Sequence, residues 1–174
     1  MSLSIYAMAT DTFIPMLRSL GECIEKGKRQ KGQALDLADA RLAPDMYTLA
    51  KQVQQACFYA RDAMARLAGE AGVAMGEAAD TIDGAIAQIK ETIAAVQATS
   101  ESDFHFPEDV DCSIDIPGNK LISMNGVRFL RNWSIPHFYF HVVTGYDILR
   151  HVGVDIGKYD YMSQVGGFIR EKSA

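Results

Sequence analysis

Apolar side chains recur every three or four residues in four separate segments of the chain, and this spacing places them on one face of a helix. The segments cover about residues 3–28, 44–69, 80–98 and 125–152. The second segment begins at Pro44 and Asp45, which are typical of a first helical turn, and Gly69 suits its end. The pattern therefore predicts four amphipathic helices, each with an apolar face to bury.

Local features predict where two of these helices begin, bend or end. Pro15 lies inside the first helix, where it removes a backbone donor, so we expect the helix to be loosened there. Asn125 is a good N-terminal cap for the fourth helix, and Gly153 is typical of its end. Pro136 lies within the fourth helix, and we expect a bend at this position.

The hydrophobic period changes between the third and fourth helices. Cys112, Ile114 and Ile116 alternate with polar residues, which is the pattern of a strand with one buried face. A Pro-Gly-Asn sequence follows at residues 117–119 and is typical of a tight turn. These features predict a small β-hairpin over about residues 111–124. Because an isolated hairpin is marginally stable in water, we expect it to pack against the helices.

Length and composition favour a single domain over residues 1–174. A chain of 174 residues, of which 48% are apolar, buries a sufficient core without disulfides or a structural metal. We therefore predict an all-α protein, a four-helix bundle with a small β-hairpin before the last long helix. The tail from about residue 155 to residue 174 is consistent with a short helix or with a segment draped over the bundle.

The net charge of −5 excludes the class of general nucleic-acid binders, which need a basic face. Residues 62–115 hold twelve acidic and two basic residues, which we interpret as a solvated acidic surface. No segment is apolar enough to span a bilayer, and the first residues do not have the pattern of a secretory signal. The three widely spaced cysteines are typical of reduced thiols. We therefore expect a cytoplasmic protein without nucleic-acid or membrane partners.

The four histidines of the chain differ in their sequence setting. His105 lies in an acidic loop, and His151 lies at a helix end, where a cation complements the helix dipole. His137 and His141 are four residues apart, so they project from the same side of the fourth helix, about one turn apart. With this spacing one helix offers two nitrogen ligands to a metal ion. We therefore expect this pair to share a site.

The sequence leaves two interpretations of the pair open. His141 lies among apolar and small residues, which fits a buried neutral histidine that is hydrogen-bonded to a carbonyl or a glutamine. The same inward position fits a metal ligand, with His137 as the second ligand. A further ligand must then come from the second helix. That helix has one polar row, which consists of Gln52, Gln55, Tyr59 and Asp62.

The order of the predicted elements and the late His-x-x-x-His sequence resemble the DinB/YfiT-like helical bundles. Three stretches are similar to one bacterial branch of that superfamily, which consists of domains of unknown function. The stretches are SIYAMATDTFIPMLRSL at residues 4–20, LADARLAPDMYTLAKQVQQAC at residues 37–57 and IPHFYFHVVTGYDILRHVGVDIGKYDY at residues 135–161. The resemblance extends over nearly the whole chain.

This resemblance implies a four-helix bundle that is often dimeric and is related to metalloenzymes. Characterised members of the superfamily include metal-dependent thiol-S-transferases and a thiol-dependent maleylpyruvate isomerase. Their usual metal site takes one histidine from the second helix and two from the His-x-x-x-His sequence. The last two correspond to His137 and His141, whereas Gln52 or Gln55 stands near the position of the second-helix histidine.

Two functional hypotheses follow from these residues and from the resemblance. In the first, a divalent metal ion (nickel, zinc or iron) is held by His137, His141 and Gln52 and activates water or a small thiol cosubstrate. In the second, the bundle is degenerate and non-catalytic, needs no metal, and binds a small molecule or only a second copy of itself. His141 is then merely hydrogen-bonded. A homodimer is expected in both cases, and no cofactor other than the metal is expected.

Overall fold

A computed structural model of the chain describes residues 4–32, 35–104, 110–170 and 172. The bundle consists of α1 (Ile5–Lys31), α2 (Leu49–Leu67), α3 (Ile82–Ala98) and a fourth helical segment formed by α4 (Gly126–Phe129), a π-helical turn (Leu130–Ser134) and α5 (Ile135–His151). α2 packs against α5 and α3, and α1 packs against the same two helices. Within the described residues, no helix combines the length and apolar character needed to cross a membrane. The predicted four-helix bundle is confirmed.

Large apolar side chains fill the centre of the bundle. Phe13, Phe129 and Phe138 are the largest of those that are fully buried. Phe13 of α1 meets Phe138 of α5 edge to face, with ring centroids 4.9 Å apart, which is a favoured arrangement of aromatic rings. Gly145 of α5 lies close to Leu20 of α1, since a Cβ at position 145 would lie 3.2 Å from a Leu20 methyl group. The core therefore joins α1 directly to α5.

Polar caps mark where the long helices begin. Ser4, Thr48, Thr81 and Asn125 each accept a hydrogen bond from a backbone N–H in the first turn of the helix that follows. The predicted starts of the third helix at about residue 80 and of the fourth at Asn125 thus agree with the structure. α1 continues through Pro15 without interruption.

The predicted start of the second helix at Pro44 and Asp45 is wrong. These two residues lie in a turn, and α2 begins at Leu49. The backbone N–H of Leu49 donates to the carbonyl of Ala40 at 2.8 Å, so a preceding segment satisfies a group that the first helical turn leaves unpaired. This contact closes the turn between Ala40 and Leu49, and the Pro-Asp pattern at residues 44 and 45 does not reveal it.

The fourth helical segment contains its π-helical turn directly before Pro136, which lies in the first turn of α5. Proline has no N–H, and a widened turn accommodates the carbonyl group that loses its usual partner. The structure therefore shows a π turn where the sequence predicts a bend. α5 ends at His151, and Gly153 follows with a φ of 74°, in agreement with the predicted helix end.

The predicted hairpin consists of β1 (Asp111–Ile116) and β2 (Lys120–Asn125), which pair in antiparallel orientation. Cys112 of β1 is 1% exposed, so its side chain is covered by the bundle. Arg66 of α2 donates from Nη1 to the carbonyl oxygen of Ser113 at 3.1 Å. These contacts attach the hairpin to the helices, as expected for a pair of strands that is marginally stable alone.

Residues 69–80, which we name the 69–80 loop, join α2 to α3 without regular secondary structure. Gln54 of α2 donates from Nε2 to the carbonyl oxygen of Gly76 at 2.7 Å. Gln88 of α3 donates from Nε2 to the carbonyl oxygen of Glu77 at 2.8 Å. Side chains of both neighbouring helices therefore hold the loop by its backbone, a feature that the hydrophobic pattern does not predict.

The tail after α5 packs against α1. It contains the short helix α6 (Lys158–Tyr161) and a 3₁₀-helical segment (Ser163–Phe168). Asp160 forms an ion pair with Lys26 of α1 at 2.6 Å. The tail therefore combines the two arrangements that the sequence permits, a short helix and a segment on the bundle surface.

We expect Gly72→Ala to destabilise the fold by roughly 2–4 kcal/mol. Gly72 has a φ of 93°, and a Cβ there would lie 2.5 Å from Oδ1 of Asp62. That oxygen also accepts the backbone N–H of Val73. Gly69→Ala is the matched control, because Gly69 has a φ of 84° but no atom within 4 Å of the added Cβ. Urea denaturation measures both variants, and equal losses of unfolding free energy would contradict the predicted steric role of Gly72.

Candidate functional site

The candidate site is built on a buried hydrogen bond between α5 and α2. Nδ1 of His141 lies 2.7 Å from Oε1 of Gln52. Both side chains are buried, with 7% of His141 and 1% of Gln52 exposed to solvent. Because an amide oxygen only accepts, Nδ1 donates the proton, which leaves Nε2 of the neutral ring as an acceptor. Among the residues that the structure describes, none donates to this Nε2 atom.

Aromatic rings surround the histidine pair. The ring of Tyr59 lies parallel to that of His137, with centroids 4.6 Å apart and 4° between the planes. The Tyr59 ring also faces His141, at 5.6 Å and 11°. Trp133 and His137 meet in a T-shaped arrangement, with ring centroids 4.4 Å apart and 62° between the planes. We name Gln52, Tyr59, Trp133, His137 and His141 the His–aromatic cluster.

Helical periodicity places these side chains together. Gln52 and Tyr59 are seven residues apart, so they lie on one face of α2, about two turns from each other. Gln52 contacts His141, and Tyr59 stacks on His137. The contacts thus proceed in opposite directions along the two helices, as in an antiparallel pair. The spacing of four residues between the histidines therefore does bring them to one site.

Burial keeps both histidine rings neutral. Desolvation, assisted by repulsion from His137, lowers the pKa of His141 from 6.5 to about 4. Burial also lowers the pKa of His137. Gln52 is uncharged, so it supplies no negative charge to offset the cost of burying an imidazolium ion. The structure thus places His141 as a buried, neutral histidine that is hydrogen-bonded to a glutamine, which is one of the two interpretations from sequence.

Trp133 is a member of the cluster that the sequence analysis did not single out. It lies in the π-helical turn, one helical turn before His137. The signal was present in the sequence, because Trp133, His137 and His141 follow one another at intervals of four residues. Phe140, which meets His141 edge to face at 5.2 Å, is 60% exposed. An aromatic surface next to the cluster therefore reaches solvent.

The other members of the predicted polar row are engaged elsewhere. Gln55 donates from Nε2 to Oε1 of Gln54 at 3.2 Å and to the sulfur of Met75 at 3.1 Å. Asp62 forms an ion pair with Arg66 at 2.9 Å and also accepts a backbone N–H of the 69–80 loop. Both side chains therefore hold the loop in place, and the structure does not bring them into the His–aromatic cluster.

Further residues with possible chemistry lie outside the cluster. His151 is exposed at the end of α5, where the sequence predicts it. His105 lies outside the described residues. Cys57 is a buried free thiol, and burial raises its pKa to about 11, which makes it a poor nucleophile. These positions therefore add no described ligand or nucleophile to the cluster.

The described residues do not fit a catalytic metal ion with three protein ligands. Such sites take their ligands from histidine, cysteine and carboxylate side chains. The described part of the chain contains no group of three or more of these residues that is able to hold an ion. His137 and His141 supply two ring nitrogens, and Oε1 of Gln52 already accepts the Nδ1 proton of His141. The donor set predicted for nickel, zinc or iron is therefore incomplete within these residues.

Comparison with known proteins agrees with the resemblance seen in the sequence. Residues 5–162 match a family model described as "Domain of unknown function (DUF1993)". The chain is also similar to a solved structure, that of a DinB family member protein from Shewanella denitrificans, with 29% sequence identity and a TM-score of 0.78. This similarity covers 100% of both chains. No curated protein matches the chain.

The lowered pKa of His141 predicts a loss of stability in mild acid. Between pH 6.5 and pH 4 the unfolded chain binds a proton at this residue that the folded chain does not bind. The unfolding free energy therefore falls as the pH falls through this window, by roughly 3 kcal/mol from this residue alone. Urea denaturation at a series of pH values measures the loss.

The matched variants are His141→Gln and His151→Gln. We expect the first to show a smaller loss between pH 7 and pH 4.5, because it lacks the buried imidazole. The second removes an exposed histidine at the end of α5 and is expected to retain the full loss. The acid-induced loss does not come from His141 if the two variants lose the same unfolding free energy between pH 7 and pH 4.5.

Proposed function

The chain belongs to the DUF1993 family of domains and has the fold of a DinB family member, and on that premise we propose that it binds a small molecule without a metal ion. The proposed site is the His–aromatic cluster. One observation carries the proposal, the buried 2.7 Å hydrogen bond between Nδ1 of His141 and Oε1 of Gln52. This bond already orients the imidazole ring and occupies the amide oxygen that the metal hypothesis requires.

The chemistry of the cluster favours a planar ligand with a hydrogen-bond donor. Nε2 of His141 is an acceptor for which the described residues provide no donor. Tyr59, Trp133 and His137 are half-buried, so part of their ring surface is open to contact. Flat apolar surface and one polar acceptor together suit a phenol or a heteroaromatic N–H compound.

Binding is favoured over catalysis because His141 is a weak base. A general base works best when its pKa lies near the operating pH. The pKa of His141 is about 4, since desolvation penalises its charged form. At neutral pH the ring therefore accepts a hydrogen bond readily but gains little by taking a full proton from a bound molecule.

The single tryptophan of the chain, Trp133, provides a direct measurement of this proposal. We expect its fluorescence to change in a saturable manner when simple phenols are added to chelator-treated protein without a histidine tag. Each phenol is compared with its O-methyl ether, which lacks the donor, and we expect the ether to bind about tenfold more weakly. His141→Phe retains an aromatic ring but lacks Nε2, and we expect it to lose the preference for the phenol.

His151→Phe is the matched control, since it changes an exposed histidine on the same helix. It is expected to bind phenols as the unchanged protein does. Two outcomes contradict the proposal. Equal binding of phenols and ethers would show that Nε2 of His141 plays no part. Binding that appears only after zinc, nickel or iron is added would favour the metal hypothesis.

A further inference from the structure

A groove between α2, α3 and the 69–80 loop lies on the face of α2 that points away from the His–aromatic cluster. Gln54, which reaches the loop, is about 200° round the helix from Gln52, which reaches α5. The groove contains two neighbouring cavities of about 380 Å³ and about 340 Å³. Arg61 lines both cavities, so it stands in the middle of the groove. The larger cavity is large enough for a small ligand.

Gln88, which lines the larger cavity, has one buried acceptor atom without a partner among the described residues. Its Nε2 donates to the carbonyl oxygen of Glu77 at 2.8 Å, while its Oε1 is buried and has no hydrogen bond among the described residues. Rotation of the amide by 180° does not remove the problem, because it would place the amide oxygen against the carbonyl oxygen of Glu77. A buried acceptor without a donor is unfavourable, and an N–H group from a ligand would satisfy it.

Three charged side chains line the same cavity, namely Arg61 from α2, Glu77 from the 69–80 loop and Glu91 from α3. Within the described part of the chain, none of them forms an ion pair or a side-chain hydrogen bond. Arg61 and Glu91 both act on the pKa of the Cys57 thiol, with opposite signs, so both charges lie near this part of the cavity wall. A positive and a negative group are thus available on opposite helices.

The signs and numbers of these charged groups restrict the class of ligand that the cavity binds. A polyanion such as a nucleotide would be repelled by two carboxylates and attracted by only one guanidinium. A polyamine would be repelled by the guanidinium. A molecule with one negative and one positive group matches both. Phe58 and Met75 add apolar surface to the wall, which suits a short hydrocarbon side chain.

We propose that the larger cavity binds a small zwitterion of the amino-acid type. Its carboxylate pairs with the guanidinium of Arg61, and its ammonium group donates to Glu91 and to Oε1 of Gln88. Its side chain lies against Phe58 and Met75. The site is separate from the His–aromatic cluster and does not depend on the function proposed for that cluster.

Calorimetric titration of the whole chain with L-leucine, L-methionine and L-phenylalanine tests the proposal. Each amino acid is compared with the amine that lacks its carboxylate and with the acid that lacks its ammonium group. We expect at least one amino acid to bind saturably, and both of its partial analogues to bind about tenfold more weakly or not at all. Arg61→Gln and Glu91→Gln are each expected to weaken binding by about tenfold, since both remove one charge partner.

Arg18→Gln is the matched control, because Arg18 is an exposed arginine that lines a different groove, between α1 and α3. We expect it to bind the amino acid as the unchanged protein does. Arg61 and Glu91 are exposed, so both variants are expected to fold, which circular dichroism checks. NMR of the side-chain amide of Gln88 gives a second measurement, and its signals are expected to shift on binding while Trp133 fluorescence stays constant.

The proposal is overturned by any of three results. The first is that no amino acid of the set binds saturably. The second is that an amine or an acid binds as tightly as the corresponding amino acid, which would show a simple cation or anion site. The third is that binding is unchanged in both Arg61→Gln and Glu91→Gln. Binding that alters Trp133 fluorescence and leaves the Gln88 amide signals in place would also overturn the proposal.

Discussion

A histidine ring in the interior of a helical bundle requires a polar partner, and Gln52 supplies it to His141 without supplying charge. An unpaired polar group at this depth would cost about 1–3 kcal/mol, so the register of α5 on α2 is tied to this hydrogen bond. Tyr59 stacks on His137 further along the same pair of helices. The bond also fixes the tautomer, because it engages the Nδ1 proton and leaves Nε2 as the acceptor, while burial keeps the ring neutral.

α2 carries both candidate sites because its polar residues point in different directions. Gln52, Gln54 and Gln55 are all buried. Gln52 bonds to His141, Gln54 bonds to the backbone of the 69–80 loop, and Gln55 bonds to Gln54 and to the sulfur of Met75. Gln52 faces α5, whereas Gln54 holds the 69–80 loop over the groove that contains Arg61. A helix that buries three amides in four positions needs a partner for each, which explains why an irregular loop is packed so closely against it.

The sequence predicts the features that depend on local periodicity. It does not predict the features that depend on contacts between separate segments of the chain. The four helices, the hairpin and the shared face of His137 and His141 follow from spacing alone. The sequence pattern predicts a start of α2 that is too early, because the N–H of Leu49 is satisfied by the carbonyl of Ala40, across a turn. The 69–80 loop has no period, and the orphaned oxygen of Gln88 depends on its bond to the loop. The homodimer and the cytoplasmic location stay predictions, since contacts within one chain do not address them.

Gln52 holds His141 as a neutral ring with its proton on Nδ1, and this protonation state is open to direct measurement. Long-range ¹H–¹⁵N correlation spectra of chelator-treated protein at pH 7 measure the protonation of both ring nitrogens directly. We predict a protonated Nδ1 and an unprotonated Nε2 for His141, with signals that stay unchanged when zinc is added. A charged ring at pH 7, a proton on Nε2 with a bare Nδ1, or a zinc-induced shift of His137 and His141 together would contradict this prediction.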